Sequence, residues 1–249
     1  RMLWWVAAHR AELLSKSDRE HLFDRQDIAD LKTLADGNLS FDYATRSGAT
    51  TRSRKEAYQD SVVKYDAFNK NILDVTEKSG LVNGEDRKSW ERMMYVPFYR
   101  VTDDNGGFKG GKMSASLVGQ SPFRRLKGGP EKLNNDLLQN VLSNWFHLID
   151  ASAKNRAAKS ALENAAATGA AIEADQHTVQ SMAATAGLRK SVVWFMDEGH
   201  KRHFVVGDEH LLQAITSLEY AGMKGGVMTA LSLPKHWLTV GVTASPVFK

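Results

Sequence analysis

The chain has 249 residues, of which 42% are hydrophobic, and a formal net charge of +4. This length and apolar content allow one large core or two small ones and exclude a chain that is disordered by composition. The absence of cysteine excludes disulfides, cysteine-ligated zinc, iron–sulfur clusters and thiol catalysis. No run of about 18 uninterrupted apolar residues predicts a membrane span.

The acidic first part of the chain reads as helices. Apolar spacing predicts a helix over residues 3–14, whose pattern begins at the start of the sequence with no capping residue before it. A second helix is predicted over 24–37, with Asp24 as its N-cap. Residues 37–52 read as a loop. Because the chain also ends without a polar tail, we interpret it as a piece of a longer polypeptide.

A long helix is predicted over about residues 52–79 and is closed by Gly80. Its apolar side chains recur every three or four residues, so we expect one buried face. That predicted face consists of Tyr58, Val62, Tyr65, Phe68, Ile72 and Val75. Asn83, followed by two acidic residues, predicts the start of a short helix that carries Trp90.

Residues 95–100 read Tyr-Val-Pro-Phe-Tyr-Arg and favour an extended backbone. Because proline cannot donate to a strand ladder, the segment is predicted to be an edge strand or an extended crossing segment. Its aromatic residues favour packing. We treat Tyr95, Pro97, Phe98 and Arg100 as a structural motif, and Arg100 can pair with Asp103 or Asp104.

The stretch 105–130 contains seven glycines and five basic residues but no acidic one. Glycine leaves backbone amides unshielded, and beside cations this composition is typical of an anion site. The candidate anion-binding or nucleic-acid-binding residues are Lys109, Lys112, Arg124, Arg125 and Lys127, with Phe108 and Phe123 available to stack on bases. The alternative is a solvated loop, or one that docks on the acidic helices of residues 12–30 and 56–86.

The second half is predicted to begin with a long helix launched at Pro130, which continues through an alanine-rich run to residue 171. Its small residues favour close packing. A further helix is predicted at about 175–186, followed by two strands, 191–196 and 203–206, that form a hairpin. Asp208 is the predicted N-cap of the next helix, and a final apolar segment follows the glycines after residue 221.

These patterns predict a mainly α fold: a helical bundle-like body with one small β-hairpin or sheet element and a glycine-rich basic loop. We expect a single domain over 1–249. The alternative has two lobes, 1–100 and 131–249, hinged by residues 101–130, which would then be the most mobile part of the chain.

Two patterns in the sequence resemble those of enzymes, so we consider an enzyme as the alternative function. Gly106-Gly-Phe-Lys-Gly-Gly-Lys112 carries the glycines and lysine of a phosphate-binding loop, and an apolar strand ends in Asp197 and Glu198, as in nucleotide hydrolases. Against this alternative, Met113 occupies the position of the metal-binding hydroxyl, and the predicted strands are too few for a parallel sheet. The sequence therefore favours a hairpin turn at 197–200 and a basic loop at 106–112.

His200, His203 and His210, beside Asp197, Glu198 and Asp208, have the residue types of a metal or hydrolase site. Their predicted positions, at a turn, in a strand and in the first turn of a helix, do not converge. We therefore interpret them, with His147, as ordinary surface or partly buried histidines. Neither a catalytic residue, a metal ligand set nor a cofactor site is predicted.

The order of three short motifs resembles that of a known family. Residues 95–100 are followed by a variable glycine-containing stretch, then by Phe-Arg-Arg-Leu-Lys-Gly-Gly-Pro at 123–130, then by a long helix with Asn155 in Ala-Lys-Asn-Arg-Ala. Together with Ala-His-Arg-Ala at 8–11 and Pro-Val-Phe-Lys at 246–249, they resemble the large polyvalent protein-associated domain of tailed-phage and mobile-element proteins. The family's Pro-x-Phe segment usually continues into an arginine-rich stretch, whereas this sequence stops there.

The resemblance implies a non-catalytic structural or binding module of a multidomain protein. Its implied partners are the rest of the parent polypeptide, DNA, and virion or oligomeric neighbours. Its implied location is the virion, or the host cytoplasm after DNA transfer. The alternative function is a nucleotide- or phosphoester-hydrolysing domain that uses Lys112 with Asp197 and Glu198.

Overall fold

The structure is a computed structural model that describes residues 1–19, 22–41, 50–91, 94–99, 116–122, 136–175, 178–179 and 191–217. Over these residues it contains six α-helices and two small antiparallel sheets, so the predicted mainly α class is confirmed. Within the same ranges, no helix has both the length and the hydrophobicity needed to cross a membrane.

Four helices form the first part of the fold, and local signals predicted each of them. They are α1 (Met2–Lys16), α2 (Arg25–Lys32), α3 (Arg54–Lys78) and α4 (Gly84–Trp90), with a 3₁₀ turn (Thr33–Ala35) after α2. The Asp24 carboxylate accepts from the backbone N–H of Asp27 at 2.7 Å, and Asn83 caps α4 by accepting from Asp86 at 2.7 Å. Both predicted N-caps are therefore confirmed.

The segment predicted as a loop over residues 37–52 contains two short strands instead. Strand β1 (Asn38–Phe41) pairs antiparallel with β2 (Thr50–Ser53), with Asn38 opposite Ser53. The prediction was wrong because Thr-Thr-Arg-Ser of β2 contains no apolar residue, and the alternation Asn-Leu-Ser-Phe of β1 extends over only four residues. The two strands pair through their backbones beside the start of α3. Arg54, the first residue of α3, donates to the Asp36 carbonyl at 2.7 Å and so fixes the chain just before β1.

Helix α5 (Leu137–Ala167) is the longest element, with 31 residues. It begins at Asp136, whose side chain accepts from the N–H of Gln139, and not at Pro130 as predicted. It also ends before residue 171, because Gly169 adopts a φ of 79° that terminates the helix. Ala171, the predicted last residue of the helix, instead begins strand β3 (Ala171–Ala174).

The second sheet has the strand order β3-β5-β4, where β4 is Val192–Asp197 and β5 is His200–Val206. The predicted hairpin is confirmed, with Glu198 and Gly199 both at positive φ in its turn. Because β3 pairs with β5, the sheet has three strands and not two. Helix α6 (Glu209–Thr216) follows, and its predicted N-cap Asp208 accepts from His210 and Leu211.

The buried face of α3 differs from the predicted one at two positions. Phe68 and Val75 are 45% and 44% exposed, whereas Leu73 and Thr76 are buried. Thr76 was missed because it is polar, but its hydroxyl donates to the Ile72 carbonyl at 2.8 Å and can therefore be buried without loss.

Three groups of buried side chains form the interior. The N-terminal core lies between α1, α3, Val96 and the start of α5. The sheet core lies between the β3-β5-β4 sheet, α6 and the second half of α5. A small group of Leu81, Ala151 and Met196 connects them. Helix α5 contributes to all three groups, which agrees with the predicted close packing of its small residues.

Two further predictions fall mostly outside the described residues. For the helix predicted at 175–186, only its start is described, where the Asp175 side chain accepts from the N–H of Thr178 at 2.6 Å. The final apolar segment, after residue 221, lies wholly outside them.

Candidate functional site

The side chains of the predicted basic site lie outside the described residues. The structure does describe residues 116–122, which lie between them in the sequence. Lys109, Lys112, Arg124, Arg125 and Lys127, with Phe108 and Phe123, all lie in stretches that the structure does not describe, as does Arg100. Residues 116–122 between them are fixed to the sheet core. The N–H of Leu117 donates to the Ile215 carbonyl, and that of Gly119 to the Trp194 carbonyl, both at 2.8 Å.

Residues 95–99, which precede the basic stretch, pack against the N-terminal core. These residues belong to no helix or strand, so the structure does not support the edge-strand alternative for them. Tyr65 donates its hydroxyl hydrogen to the Tyr95 carbonyl at 2.6 Å, and Val96 is buried. Phe98 packs edge-on against Trp4 and Phe23. The aromatic residues therefore have the packing role that the sequence predicted.

Asn155, the motif residue on the long helix, is a fully buried structural link. Its Nδ2 donates to the Ser79 carbonyl at 2.8 Å and to the Met196 carbonyl at 2.7 Å, while its Oδ1 accepts from the Met196 N–H at 2.8 Å. Both amide hydrogens and the amide oxygen are thus used. The side chain joins the end of α3 and strand β4 to α5.

Asp197, half of the nucleotide-hydrolase pattern, is held by two cations. Lys159 donates to its Oδ1 at 2.6 Å and Arg202 to its Oδ2 at 3.1 Å. Burial alone would raise the pKa of Asp197, but these two hydrogen bonds outweigh it and the pKa lies below its ordinary value. Its strand pairs antiparallel with β5, which is not the parallel-sheet context of a phosphate-binding fold. Lys112 lies outside the described residues.

The three clustered histidines lie on two different elements. Among the described residues, no group of three or more His, Asp or Glu side chains could hold a metal ion. His200 opens β5, His203 lies three residues further along that strand, and His210 lies in α6. Burial and the neighbouring Lys201 lower the pKa of His203. His147 Nε2 lies 3.2 Å from the Ser121 carbonyl oxygen.

A pocket of about 420 Å³ lies between α3, α4 and α5, with Tyr95 at one side. This volume falls in the range typical of small-molecule sites, about 300–1,000 Å³. Its lining is mostly apolar and aromatic. The lining residues include Ile72, Leu73, Trp90, Tyr95, Trp145 and Leu148.

Among the described residues, three charged side chains line this pocket. Glu91 and Lys70 form an ion pair of 3.3 Å, and Glu91 is also held by Arg87. Arg87 additionally contacts Asp74 and Glu77 of α3, so α4 is clamped onto α3 by charge. The third charged residue is Asp66.

Asp66 is a half-buried carboxylate with one described hydrogen-bond donor, the backbone N–H of Met94, which lies 3.1 Å from its Oδ1. Burial raises the pKa of Asp66 above its ordinary value, and the Met94 hydrogen bond only partly opposes this. Within the part of the chain that the structure describes, no cationic side chain forms an ion pair with it.

Asn69 holds the Trp145 ring at the pocket wall. The indole N–H donates to Asn69 Oδ1 at 2.6 Å, and because indole is only a donor, this fixes the orientation of the amide. Asn69 Nδ2 is buried without a partner of good geometry, beside the Tyr65 hydroxyl. Burial raises the pKa of that hydroxyl to about 12.

Sequence reasoning did not identify this pocket. Asp66, Asn69 and Lys70 sit on the polar border of the α3 stripe, where they read as a solvated helix face. The remaining lining residues come from α4, residue 95 and α5, so their convergence depends on tertiary packing.

Comparisons with protein-family models, with curated proteins and with solved structures find no match to this chain.

Proposed function

We propose that this chain is a non-catalytic structural and binding module of a large phage or mobile-element protein, and that it contacts nucleic acid through the basic stretch 105–130. The observation that carries the proposal is the composition of that stretch, with five cations, seven glycines and no acidic residue. In this proposal the helical body is bundle-like, and the stretch is a glycine-rich loop presented to the polyanion. The module acts in the virion, or in the host cytoplasm after DNA transfer.

The anchoring of the described part of the stretch supports this role. Residues 116–122 are hydrogen-bonded to the sheet core, and Val118 and Gln120 are buried. Lys109 and Lys112 precede this fixed point, whereas Arg124, Arg125 and Lys127 follow it. Each cationic segment therefore adjoins, along the chain, a segment that is fixed to the folded body, which limits the entropy that binding would cost.

The ion pairs of the acidic helices favour nucleic acid over an intramolecular partner. Glu12 is already paired with Lys16 and Lys32, and Arg52 with Asp60. Asp74, Glu77 and Glu91 share Arg87. Because each of these carboxylates already has a cationic partner, and Glu12 and Asp60 are fully paired, part of the acidic charge on these helices is compensated and attracts the basic stretch less.

Fluorescence anisotropy with a labelled DNA duplex tests the proposal. Five phosphate contacts would give a slope of about −4.5 for log K against log salt, or an affinity loss of about 500-fold between roughly 50 and 200 mM salt. Replacement of Lys109, Lys112, Arg124, Arg125 and Lys127 by glutamine should abolish this dependence.

The matched control removes the same charge from exposed positions elsewhere. Glutamine at Lys55, Lys64, Lys78, Lys88 and Arg156 changes the net charge equally, and these side chains are all exposed. Equal loss of binding in both variants would mean that net charge alone attracts DNA and would contradict the proposed site. Salt-independent binding, or none, would refute nucleic acid as the partner.

A further inference from the structure

The pocket between α3, α4 and α5 combines a recessed carboxylate with aromatic walls. Leu73 and Leu148 are buried in its lining, while Trp90, Tyr95 and Trp145 contribute rings. A molecule that fills it must therefore present mostly apolar surface. The pocket would also favour a cation next to a ring face, where the ring quadrupole attracts positive charge.

The charges of the lining residues determine which sign of ligand charge the pocket favours. Asp66 and Glu91 contribute two negative charges and Lys70 one positive charge, and Lys70 is already paired with Glu91 at 3.3 Å. Among the described residues, the charge without an ion-pair partner is thus the Asp66 carboxylate. Such a group, partly removed from water, is stabilised by an opposite charge that arrives with the ligand.

We propose that this pocket binds a small amphipathic organic cation, with its ammonium group against the Asp66 carboxylate and its apolar body against Trp145 and Leu148. An anionic ligand would be repelled by Asp66. A neutral apolar ligand would leave this carboxylate even less hydrated than in the free protein, because it would displace water without replacing it by a donor. The described lining of the pocket includes no residue of the basic stretch, which would attract the opposite charge.

Three probes with the same phenyl body and different charge test the proposal: phenethylamine, phenethyl alcohol and phenylacetate. Titration is followed by the chemical shifts of the Trp145 indole N–H and the Leu148 methyl groups. We expect the amine to bind at least about tenfold more tightly than the alcohol and phenylacetate to bind least. Bound amine should also lower the pKa of Asp66, measured from its carboxyl carbon shift.

Asp66→Asn keeps an acceptor for the Met94 N–H and removes the charge. It should reduce amine affinity to that of the alcohol, whereas Glu56→Gln, an exposed substitution on the same helix, should leave it within about twofold. Equal binding of amine and alcohol to the unaltered protein would overturn the proposal, as would tighter binding of phenylacetate. Absence of any shift at Trp145 with all three probes would overturn it too, and none of these three results depends on the folding of a variant.

Discussion

A single amide on α5 connects parts of the chain that are far apart in sequence. Asn155 is fully buried and bonds to the backbone of Ser79 and of Met196, which lie 76 and 41 residues away. Buried backbone groups must be paired, and here one side chain pairs three of them. This gives the family-like motif around Asn155 a structural role that rests on the fold alone.

Asn155→Ala should lower the free energy of unfolding by about 3 kcal/mol, because it leaves buried backbone groups at Ser79 and Met196 without partners. Urea denaturation followed by far-UV circular dichroism measures the change. Asn164→Ala is the control, since this asparagine lies on the same helix and is exposed; we expect it to change stability by no more than about 0.5 kcal/mol. Similar effects of the two substitutions would contradict the assigned role of Asn155.

At the scale of elements, Arg202 on β5 binds three others through carboxylates. It makes a two-pronged contact with Glu173 of β3, at 2.8 and 2.9 Å, and single bonds to Glu163 of α5 and Asp197 of β4. Its guanidinium also lies over the rings of Phe195 and Phe204. A planar group with several fixed donors is needed for this set of contacts, and lysine cannot replace it.

Arg202→Lys should therefore cost about 1–2 kcal/mol near neutral pH and much less in acid. Hydrogen bonds from Arg202 lower the pKa of Glu173, and those from Lys159 and Arg202 outweigh burial to lower that of Asp197, so the folded state holds fewer protons than the unfolded state. The stabilisation is present above the ordinary carboxyl values of 4.5 and 3.8 and is lost as the pH falls through the lower folded values.

Urea midpoints at about pH 7 and about pH 3 check this prediction. Arg156→Lys, at an exposed position on α5, is the matched control and should be neutral at both values. If Arg202→Lys cost the same at both pH values, its packing over Phe195 and Phe204 would be the source of the stability and not its carboxylate partners.

The sequence predicted elements well where the signal is local. Asp24, Asn83 and Asp208 each cap a helix through a bond to a backbone N–H two or three residues ahead, so their pattern is readable within one turn. Strand β3 was missed because Ala171 continues an alanine-rich helical pattern, and only pairing with β5 makes it a strand. The strand conformation of β3 therefore depends on pairing with residues distant in the sequence, which the local composition does not indicate.

Across the whole molecule, α5 is shared by every group of buried side chains described. Leu137 and Val141 lie in the N-terminal core, Ala151 in the connecting group, and Ala158 and Leu162 in the sheet core. The two regions considered as possible lobes are also joined by the Gly199 N–H, which donates to the Gly80 carbonyl at 3.0 Å. We therefore expect these regions to unfold together.

Leu162→Ala tests this expectation. Leu162 has no exposed surface in the sheet core, so its truncation should cost about 2–5 kcal/mol. If unfolding is cooperative, hydrogen exchange should report the same loss at the amide of Val193 and at that of Val62, in the N-terminal core. Leu138→Ala, on the same helix but 59% exposed, is the control. A loss confined to Val193 would show two independently unfolding lobes.

The candidate pocket shows why function was less predictable than fold. Asp66 lies on α3, Glu91 follows α4 and Trp145 lies on α5, so each residue has an ordinary local context. Their common property is a shared cavity, which arises only when the three helices pack. Helix spacing predicts which side of α3 is buried, but it does not predict that a carboxylate at its border is left beside three aromatic rings.

The hydrogen-bonding pattern of Asn155 also limits which amino acids position 155 can accept. Two donors and one acceptor, held on a side chain of one fixed length, are all in use. Aspartate lacks the donors, and glutamine adds a methylene that would displace them. In a library with all substitutions at this position, selection for stability should enrich asparagine above every other residue, so the pairing of position 155 with backbone at 79 and 196 offers a fingerprint for finding diverged relatives of this fold.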